Sequence, residues 1–230
     1  MEFGPFDRRH YPTVGVRDGY AEWSRSYEQV VQDEMDLRLL DRIGGVDWPA
    51  SRRALDLACG TGRIGVWLRA HGVRRLDGLD LTPEMLARAE AKGVYDRLVL
   101  GDLEDTGLPG GTYDLIVQSL AEEHLADLRP LYAETARLAA EGGLFVLVGY
   151  HPHFLMSGIP THFNGRDGTP VAIESHVHLT SDHTKAAMAR GWRLQAMDEG
   201  VVDDAWIARK PRWERFRHHP VSFAMVWRRP

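Results

Sequence analysis

Three glycines at a fixed spacing are the feature of this sequence that points most directly to chemistry. Gly60, Gly62 and Gly65 form the pattern Gly-x-Gly-x-x-Gly between a short apolar run and residues with helical spacing. Glycines in such a strand-to-helix turn let the backbone approach a ligand at the amino end of the helix. Asp80 lies 20 residues after Gly60, at the end of the next apolar run, where a carboxylate can accept hydrogen bonds from a ribose. The spacing predicts a site for a nucleoside cofactor.

A second carboxylate narrows the choice of nucleoside. Asp56 lies inside the first apolar run, four residues before Gly60. A negative charge there is unfavourable beside a pyrophosphate and favourable beside a cation. S-adenosylmethionine carries an ammonium and a sulfonium group and no phosphate, so Asp56 favours it over a nicotinamide dinucleotide. A glycine turn with a purely structural role remains the alternative.

The elements that must position these residues alternate between strands and helices, which predicts a parallel sheet covered by helices on both faces. A helix with one apolar stripe is expected over residues 20–43, ended by Gly44 and Gly45. Residues 151–180 are rich in His, Pro and Gly and show no helical spacing. Strands are expected at 54–58, 76–81, 97–100, 113–118, 144–148, 192–197 and 222–227, and further helices at 62–70, 128–140 and 181–189, with one beginning at Pro83.

The segment Asp-Leu-Ala-Cys-Gly-Thr-Gly, residues 56–62, resembles the first motif of the class I S-adenosylmethionine-dependent methyltransferases. The resemblance covers roughly residues 20–227 and is closest to the small-molecule enzymes related to the quinone C-methyltransferases. It implies an α/β, Rossmann-like, doubly wound sheet of seven mostly parallel strands with the last strand antiparallel, an N-terminal helical cap and an insertion after strand five. A single domain, residues 1–230, would comprise an arm and cap helix (1–50), a cofactor-binding core (51–150), an acceptor-covering insertion (151–180) and the C-terminal part of the sheet (181–230).

The resemblance also assigns cofactor contacts. Asp56 would shape the methionine end of the site, Asp80 would bind the ribose hydroxyls, and Asp102 would meet the adenine amino group. A turn or helix cap remains the alternative for Asp102, and core packing for Met85. The residues expected to bind S-adenosylmethionine, which leaves as S-adenosylhomocysteine, are Tyr20, Tyr27, Asp56, Ala58, Gly60, Gly62, Asp80, Leu81, Met85, Asp102, Leu103, Gln118 and Ser119.

Histidines concentrate where an acceptor would bind. A general base is needed only if the acceptor loses a proton near the transition state, and histidine suits that task because its pKa lies near neutral. The candidate catalytic residues are His124, after the fourth strand, and His151 and His153, after the fifth. Packing or capping is the alternative for His124. The residues expected to contact the acceptor are Trp23, Tyr150, His151 and His162.

Several features disfavour other sites and substrates. The residues after the fourth strand, 118–121, read Gln-Ser-Leu-Ala rather than the Asn/Asp-Pro-Pro-Tyr/Phe of enzymes that methylate nucleobase or glutamine amines. Cys59 lies in the glycine turn and is expected to pack there rather than act as a nucleophile. His176 and His178 alternate like strand residues, but no carboxylate or cysteine completes a metal spacing, so no metal is predicted. The basic, aromatic segment 209–219 is expected to be a solvated connection, with an RNA or anion contact as the alternative.

Composition sets the remaining limits. The 230 residues are 43% hydrophobic and carry a net charge of −5, which disfavours binding to nucleic-acid phosphates. No apolar run could cross a membrane, the N-terminus does not read as a signal peptide, and one cysteine fits a reducing cytoplasm. We therefore expect a cytoplasmic monomer or homodimer with a small-molecule substrate and neither nucleic acid nor membrane as partner.

The predicted activity is S-adenosylmethionine-dependent transfer of a methyl group to the O, N or C atom of a small molecule. One alternative is an S-adenosylmethionine-binding protein of the same fold that catalyses a non-methylating reaction or only binds. A nicotinamide-dependent oxidoreductase is disfavoured by Asp56 and by the lack of a Tyr-x-x-x-Lys pair after the fifth strand. An RNA or protein methyltransferase is the weakest alternative.

Overall fold

The structure, a computed structural model, describes residues 1–30 and 35–230. Its strands are β1 (Thr13–Val14), β2 (Ala54–Leu57), β3 (Leu76–Asp80), β4 (Arg97–Leu100), β5 (Tyr113–Ser119), β6 (Ala139–Tyr150), β7 (His162–Asn164), β8 (Pro170–Ile173), β9 (Arg193–Val201) and β10 (Pro220–Arg228). Its α-helices are α1 (Val16–Trp23), α2 (Tyr27–Val30), α3 (Leu37–Leu40), α4 (Arg63–Ala70), α5 (Pro83–Ala91), α6 (Leu128–Leu138), α7 (Pro152–Met156), α8 (Thr180–Met188) and α9 (Asp204–Arg209).

The described residues form a seven-stranded sheet in the order β4-β3-β2-β5-β6-β10-β9. The first five strands in that order are parallel to one another, and β10 runs antiparallel to both of its neighbours. The α/β, mostly parallel fold and its antiparallel last strand are thus confirmed. Sheet order reverses at β2 and β5, and a doubly wound sheet binds ligands at the carboxyl ends of the strands beside such a reversal.

Alternation within the central strands divides the core into two layers. In β6, Phe145 and Leu147 pack into one hydrophobic cluster, and Val146 and Val148 pack into another on the opposite face. All four side chains are fully buried. Successive side chains of a strand point to opposite faces, so an unbroken apolar run is what a strand covered on both sides requires. This strand was predicted on that basis.

The predicted helix over residues 20–43 is wrong in its described part. Helix α1 ends at Trp23, residues 24–26 form a turn, and α2 begins at Tyr27. Ser24 donates its hydroxyl to the carbonyl of Ala21, a local bond through which serine competes with regular helix. Helix α3 is separate, and the Asp36 side chain caps it by accepting a hydrogen bond from the Leu37 amide. Residues 31–34, which include part of the predicted stripe, lie outside the described residues.

Gly142 and Gly143 follow the helix predicted over residues 128–140 but do not end it. Helix α6 ends at Leu138, and β6 already begins at Ala139. Tyr113 pairs with Ala139, whereas Leu115 pairs with Leu144, so the intervening residues form a bulge. Gly142 has a φ of +72°, and a side chain at 143 would clash with the Ala140 carbonyl oxygen. The glycines therefore serve the bulge.

The N-terminal arm and residues 151–180 are more ordered than the sequence predicted. Strand β1 pairs in parallel with β8, and β7 pairs antiparallel with β8, which gives a small sheet of order β1-β8-β7. Helix α7 also lies in the segment for which no helix was expected. His176 forms an isolated bridge with Glu2 instead of lying in a strand with His178. Sequence periodicity misses such elements because each has five residues or fewer.

The basic segment after β9 is less solvated than predicted. Helix α9 buries Trp206, and a following 3₁₀ helix, Pro211–Phe216, places Trp213 and Phe216 against Phe154. The aromatic side chains that alternate with arginines therefore pack inward. Arg217 pairs with Glu214 and Asp204. Within residues 1–30 and 35–230, no helix has the length and apolar character needed to cross a membrane.

Candidate functional site

The glycine turn between β2 and α4 adopts backbone conformations that favour glycine. Gly60 and Gly62 have φ values of +53° and +84°, and Ala58 also lies in this region at +60°. A Cβ at Gly60 would meet no atom within 4 Å, so the turn is open at that point. A Cβ at Gly65 would lie 2.3 Å from the Tyr95 hydroxyl oxygen. The third glycine therefore makes room for a tyrosine, and the first leaves room for a ligand.

Asp80, at the end of β3, holds this turn in place. One carboxylate oxygen accepts the Gly60 amide at 2.7 Å, and the other accepts the Thr82 amide at 2.9 Å. Burial raises the pKa of Asp80, and these backbone hydrogen bonds oppose the shift. Each carboxylate oxygen can accept a further hydrogen bond. Asp80 therefore supports the turn while retaining acceptor capacity for a ligand.

A cavity of about 210 Å³ lies over the turn, at the carboxyl ends of the parallel strands. Its acidic lining residues are Asp80, Asp102 and Glu104, and His124 also lines it. Among residues 1–30 and 35–230, neither a lysine nor an arginine lines the cavity. The lining suits a nucleoside without phosphate better than a dinucleotide. It includes the predicted residues Tyr20, Tyr27, Ala58, Gly60, Asp80, Leu81, Met85, Asp102, Leu103, Ser119 and His124. It also includes residues that were not predicted, namely Val16, Leu79, Thr82, Gly101, Glu104, Leu120, Ala121 and Leu125.

Three predicted cofactor residues, Asp56, Gly62 and Gln118, are not part of this lining. Asp56 lies behind the turn, where it accepts a hydrogen bond of 2.6 Å from the Tyr95 hydroxyl. Burial raises its pKa from 3.8 to about 7. Burial also raises the pKa of the Cys59 thiol, which keeps it protonated and unsuited to nucleophilic attack. Contact of Asp56 with the cofactor stays a prediction.

His124 is held at the cavity wall by both ring nitrogens. Its Nδ1 lies 2.6 Å from the Glu174 carbonyl oxygen, and its Nε2 lies 2.9 Å from the Tyr20 hydroxyl. A carbonyl can only accept, so Nδ1 carries the proton in the neutral ring, and Nε2 accepts from Tyr20. The arrangement leaves His124 able to take a proton through the tyrosine.

The other predicted acceptor residues do not line the cavity. Nε2 of His151 lies 3.1 Å from a Glu199 carboxylate oxygen, and Nε2 of His153 lies 3.0 Å from Nδ1 of His219. Both contacts are exposed to solvent. Burial lowers the pKa of His151, and the nearby Glu199 opposes that shift. Trp23 is buried among aromatic rings, Tyr150 packs on Phe154, and His162 is exposed. Their roles stay predictions. Across the described residues, no group of three or more potential ligands could hold a metal ion.

Sequence reasoning missed two groups of ionisable side chains that lie next to residues of the cavity lining. Glu122 and Glu123, in the 3₁₀ helix Glu122–His124 after β5, are 2% and 1% exposed. Their signal was available, because adjacent acidic residues directly after a buried strand are unusual. The second group is the ion pair between Asp36 and Arg63, to which the Ser119 hydroxyl donates a hydrogen bond at 3.0 Å. Nothing in the spacing of these three residues predicts their contact.

Comparison with known proteins gives a match to the methyltransferase domain family over residues 55–147. The chain is 31% identical over 137 residues to malonyl-[acyl-carrier protein] O-methyltransferase of Hamiltonella defensa, covering 58% of this chain and 51% of that protein. It is 34% identical over 109 residues to demethylmenaquinone methyltransferase of Thermus thermophilus, covering 45% and 49% respectively. The chain thus spans about half the length of the curated relatives it matches.

A solved structure, the S-adenosylmethionine dependent methyltransferase from Mesorhizobium loti, shares the fold with a TM-score of 0.64. The similarity covers 92% of this chain and 99% of that one, at 24% sequence identity. The family match spans β2 to β6, and residues at the carboxyl ends of β2, β3, β4 and β5 line the cavity. Residues 55–147 therefore match the methyltransferase domain family, and the chain shares the fold of a solved S-adenosylmethionine dependent methyltransferase.

Proposed function

We propose that this chain transfers the methyl group of S-adenosylmethionine to a small-molecule acceptor. The observation that carries the proposal is the cavity over the glycine turn, which Asp80 lines and to which no lysine or arginine of the described part of the chain contributes. A sulfonium cofactor without phosphate suits such a lining, because its positive charge is attracted by the surrounding carboxylates.

The lining residues fit the parts of the cofactor in order. Asp80 would accept hydrogen bonds from the ribose hydroxyls, and Asp102 would accept one from the adenine amino group. Leu81, Met85 and Leu103 supply apolar surface for the adenine ring. Gly60, Ala58 and Ser119 lie where the homocysteine part would follow the turn. Asp56 supports this end from behind.

Catalysis would depend mainly on proximity and orientation. The cofactor supplies an electrophilic methyl group, and the chain must place the acceptor in line with it while excluding water. His124 is the base that the geometry favours, since it lines the cavity and accepts the Tyr20 hydroxyl at 2.9 Å. His151 and His153 remain weaker candidates, because they lie outside the cavity lining.

The proposal of a small acceptor rests on how the cavity is closed. Val16, Tyr20 and Tyr27, from α1 and α2, form one wall, and α1 packs against β8 of the small sheet. This enclosure and the net charge of −5 favour a small molecule over a polymer. We extend the proposal to a single-domain enzyme of the cytoplasm, related to the quinone C-methyltransferases, that acts as a monomer or homodimer without nucleic acid or membrane.

Calorimetric titration of the purified protein with S-adenosylhomocysteine tests the proposal. We expect one binding site with an affinity in the micromolar range, and weaker binding of NADH. A folded sample that gives no heat with S-adenosylhomocysteine and binds NADH would overturn the assignment. Mass spectrometry of the acceptor would then establish methyl transfer in a protein that binds the cofactor.

A further inference from the structure

Asp36 is a fully buried carboxylate that lies immediately before helix α3. Its Oδ1 atom accepts hydrogen bonds from the Leu37 amide at 2.7 Å and from Nη1 of Arg63 at 2.9 Å. Its Oδ2 atom accepts hydrogen bonds from Nη2 of Arg63 and, at 3.0 Å, from the Ser119 hydroxyl. The guanidinium compensates the buried negative charge, and both carboxylate oxygens are satisfied. A buried polar network that is fully satisfied holds its members in a defined geometry.

The partners of Asp36 belong to three separate elements. Leu37 begins α3, which packs on β9 and β10. Arg63 begins α4, directly after the open glycine turn. Ser119 is the last residue of β5, the strand that pairs with β2, and it lines the cavity. Asp36 therefore connects the helix that follows the glycine turn to the neighbouring strand end that forms part of the cavity.

The same ion pair lies close to a second residue of the cavity lining. Tyr27 lines the cavity, and burial raises its pKa to about 12. The charges of Arg63 and Asp36 also act on this pKa, the first lowering it and the second raising it. The network thus approaches the cavity from α2 as well as from β5.

The order of the strands determines which part of the cofactor reaches Ser119. The strands β4, β3, β2 and β5 are neighbours in that order, and the residues at or just beyond their carboxyl ends that line the cavity include Asp102, Asp80, Gly60 and Ser119 respectively. Neighbouring strands lie about 4.8 Å apart, so two strand spacings, or about 10 Å, separate the end of β3 from the end of β5. With the adenine on Asp102 and the ribose on Asp80, as proposed above, the amino-acid chain attached to sulfur extends toward Ser119.

We propose that Asp36 is a positioning residue for the amino-acid part of the cofactor: through Ser119 and Arg63 it sets the shape of that end of the cavity. The inference rests on the proposed function, from which it takes the cofactor and its orientation. Without the carboxylate, the Ser119 hydroxyl and the Arg63 guanidinium lose their common partner, and nothing in this network holds the end of β5 against α4. A ligand that extends to Ser119 then binds less tightly, whereas a ligand that ends at sulfur is unaffected.

Two aspartates at opposite ends of α3 offer a matched pair of variants. Asp36→Asn keeps the side-chain shape and removes the charge that Arg63 and Ser119 share. Asp41→Asn is the control, because Asp41 also links the end of α3 to α4, where it accepts a hydrogen bond of 2.8 Å from Nε1 of Trp67. Neither Asp41 nor Trp67 lines the cavity.

The test is calorimetric titration of each protein with S-adenosylhomocysteine and with 5′-methylthioadenosine. Both ligands carry adenine, ribose and sulfur, and only the first carries the amino-acid chain. We expect Asp36→Asn to weaken S-adenosylhomocysteine binding about tenfold and 5′-methylthioadenosine binding less than about threefold. Asp41→Asn should leave both affinities unchanged. A purely structural role for Asp36 would change the two affinities together or not at all, and either result would overturn the inference.

A double-variant cycle tests whether Asp36 acts through Ser119. Ser119→Ala should also weaken S-adenosylhomocysteine binding more than 5′-methylthioadenosine binding. Combined with Asp36→Asn, it should weaken S-adenosylhomocysteine binding no further than Asp36→Asn alone, because residues in one network are not additive. Additive losses in the combined variant would contradict the inference.

If Asp36→Asn does not fold, Asp36→Asn combined with Arg63→Met removes both charges together, which a buried pair tolerates better than the loss of one partner. This protein should show the same selective loss, and an equal loss for both ligands would again count against the inference. Failure of the wild-type protein to bind S-adenosylhomocysteine would remove the proposed function itself. Normal wild-type binding without a selective loss in the Asp36 variants would remove only the role of Asp36.

Discussion

Replacing Asp80 by alanine tests the proposed ribose site directly. The carboxylate accepts two backbone amides, those of Gly60 and Thr82, and faces the cavity. Hydrogen bonds to a charged group contribute about 1.5–3 kcal/mol each. Loss of the hydrogen bonds to two ribose hydroxyls would lower the binding free energy by about 3–6 kcal/mol in total. S-adenosylhomocysteine would then bind roughly 10²- to 10⁴-fold more weakly. Stability should also fall, because two amides of the turn lose their acceptor.

The measurements are calorimetric titration for binding and urea denaturation for stability. Asp96→Ala is the matched control, since Asp96 also accepts a backbone amide, that of Leu76 at 2.7 Å, and does not line the cavity. We expect Asp96→Ala to lower the unfolding free energy without changing affinity. A folded Asp80→Ala protein that binds S-adenosylhomocysteine within threefold of wild type would refute the assignment of the ribose site.

Three further predictions concern the stability of the fold. Burial raises the pKa of Asp56 from 3.8 to about 7, so the folded chain retains a proton that the unfolded chain loses, and stability should fall as the pH rises from about 4 to 7. In urea denaturation, Asp56→Asn should therefore have a higher free energy of unfolding than wild type at pH 8 and a similar one at pH 4.5. A difference between variant and wild type that is the same at both pH values would contradict this. Burial lowers the pKa of His183 from 6.5 to about 3, so stability should fall as the pH drops through that range, and His183→Gln should flatten the measured slope. An unchanged slope would count against a neutral buried histidine. Gly65→Ala should lower the free energy of unfolding by about 1–3 kcal/mol, because the added methyl group would clash with Tyr95. The control Gly15→Ala should be nearly neutral, because a Cβ there would meet no atom within 4 Å. Similar melting temperatures for the two variants would contradict the packing argument.

Local signals were sufficient for the central part of this molecule. The apolar runs ending at Leu57 and Asp80 were predictable as strands because side-chain burial on both faces leaves a continuous pattern. The glycine spacing located the turn, and Asp80 was identified as its acidic partner, because those residues lie within one strand–helix–strand unit. The prediction of one long N-terminal helix was wrong because the apolar stripe does not reveal the break after Trp23, where the Ser24 hydroxyl bonds to the Ala21 carbonyl.

Sequence by itself therefore determined the sheet, the glycine turn and the resemblance to the methyltransferases, since each depends on residues close together along the chain. Tertiary structure alone decided which side chains from distant parts of the chain come into contact near the cavity. Tyr20 and His124 are 104 residues apart and Glu123 and Thr161 are 38 apart, yet each pair is in hydrogen-bonding contact. No spacing rule connects them, because the fold of the N-terminal helices and of the segment after β6 over the strand ends brings them together. That folding also places His124, which lines the cavity, within hydrogen-bonding distance of the Tyr20 hydroxyl.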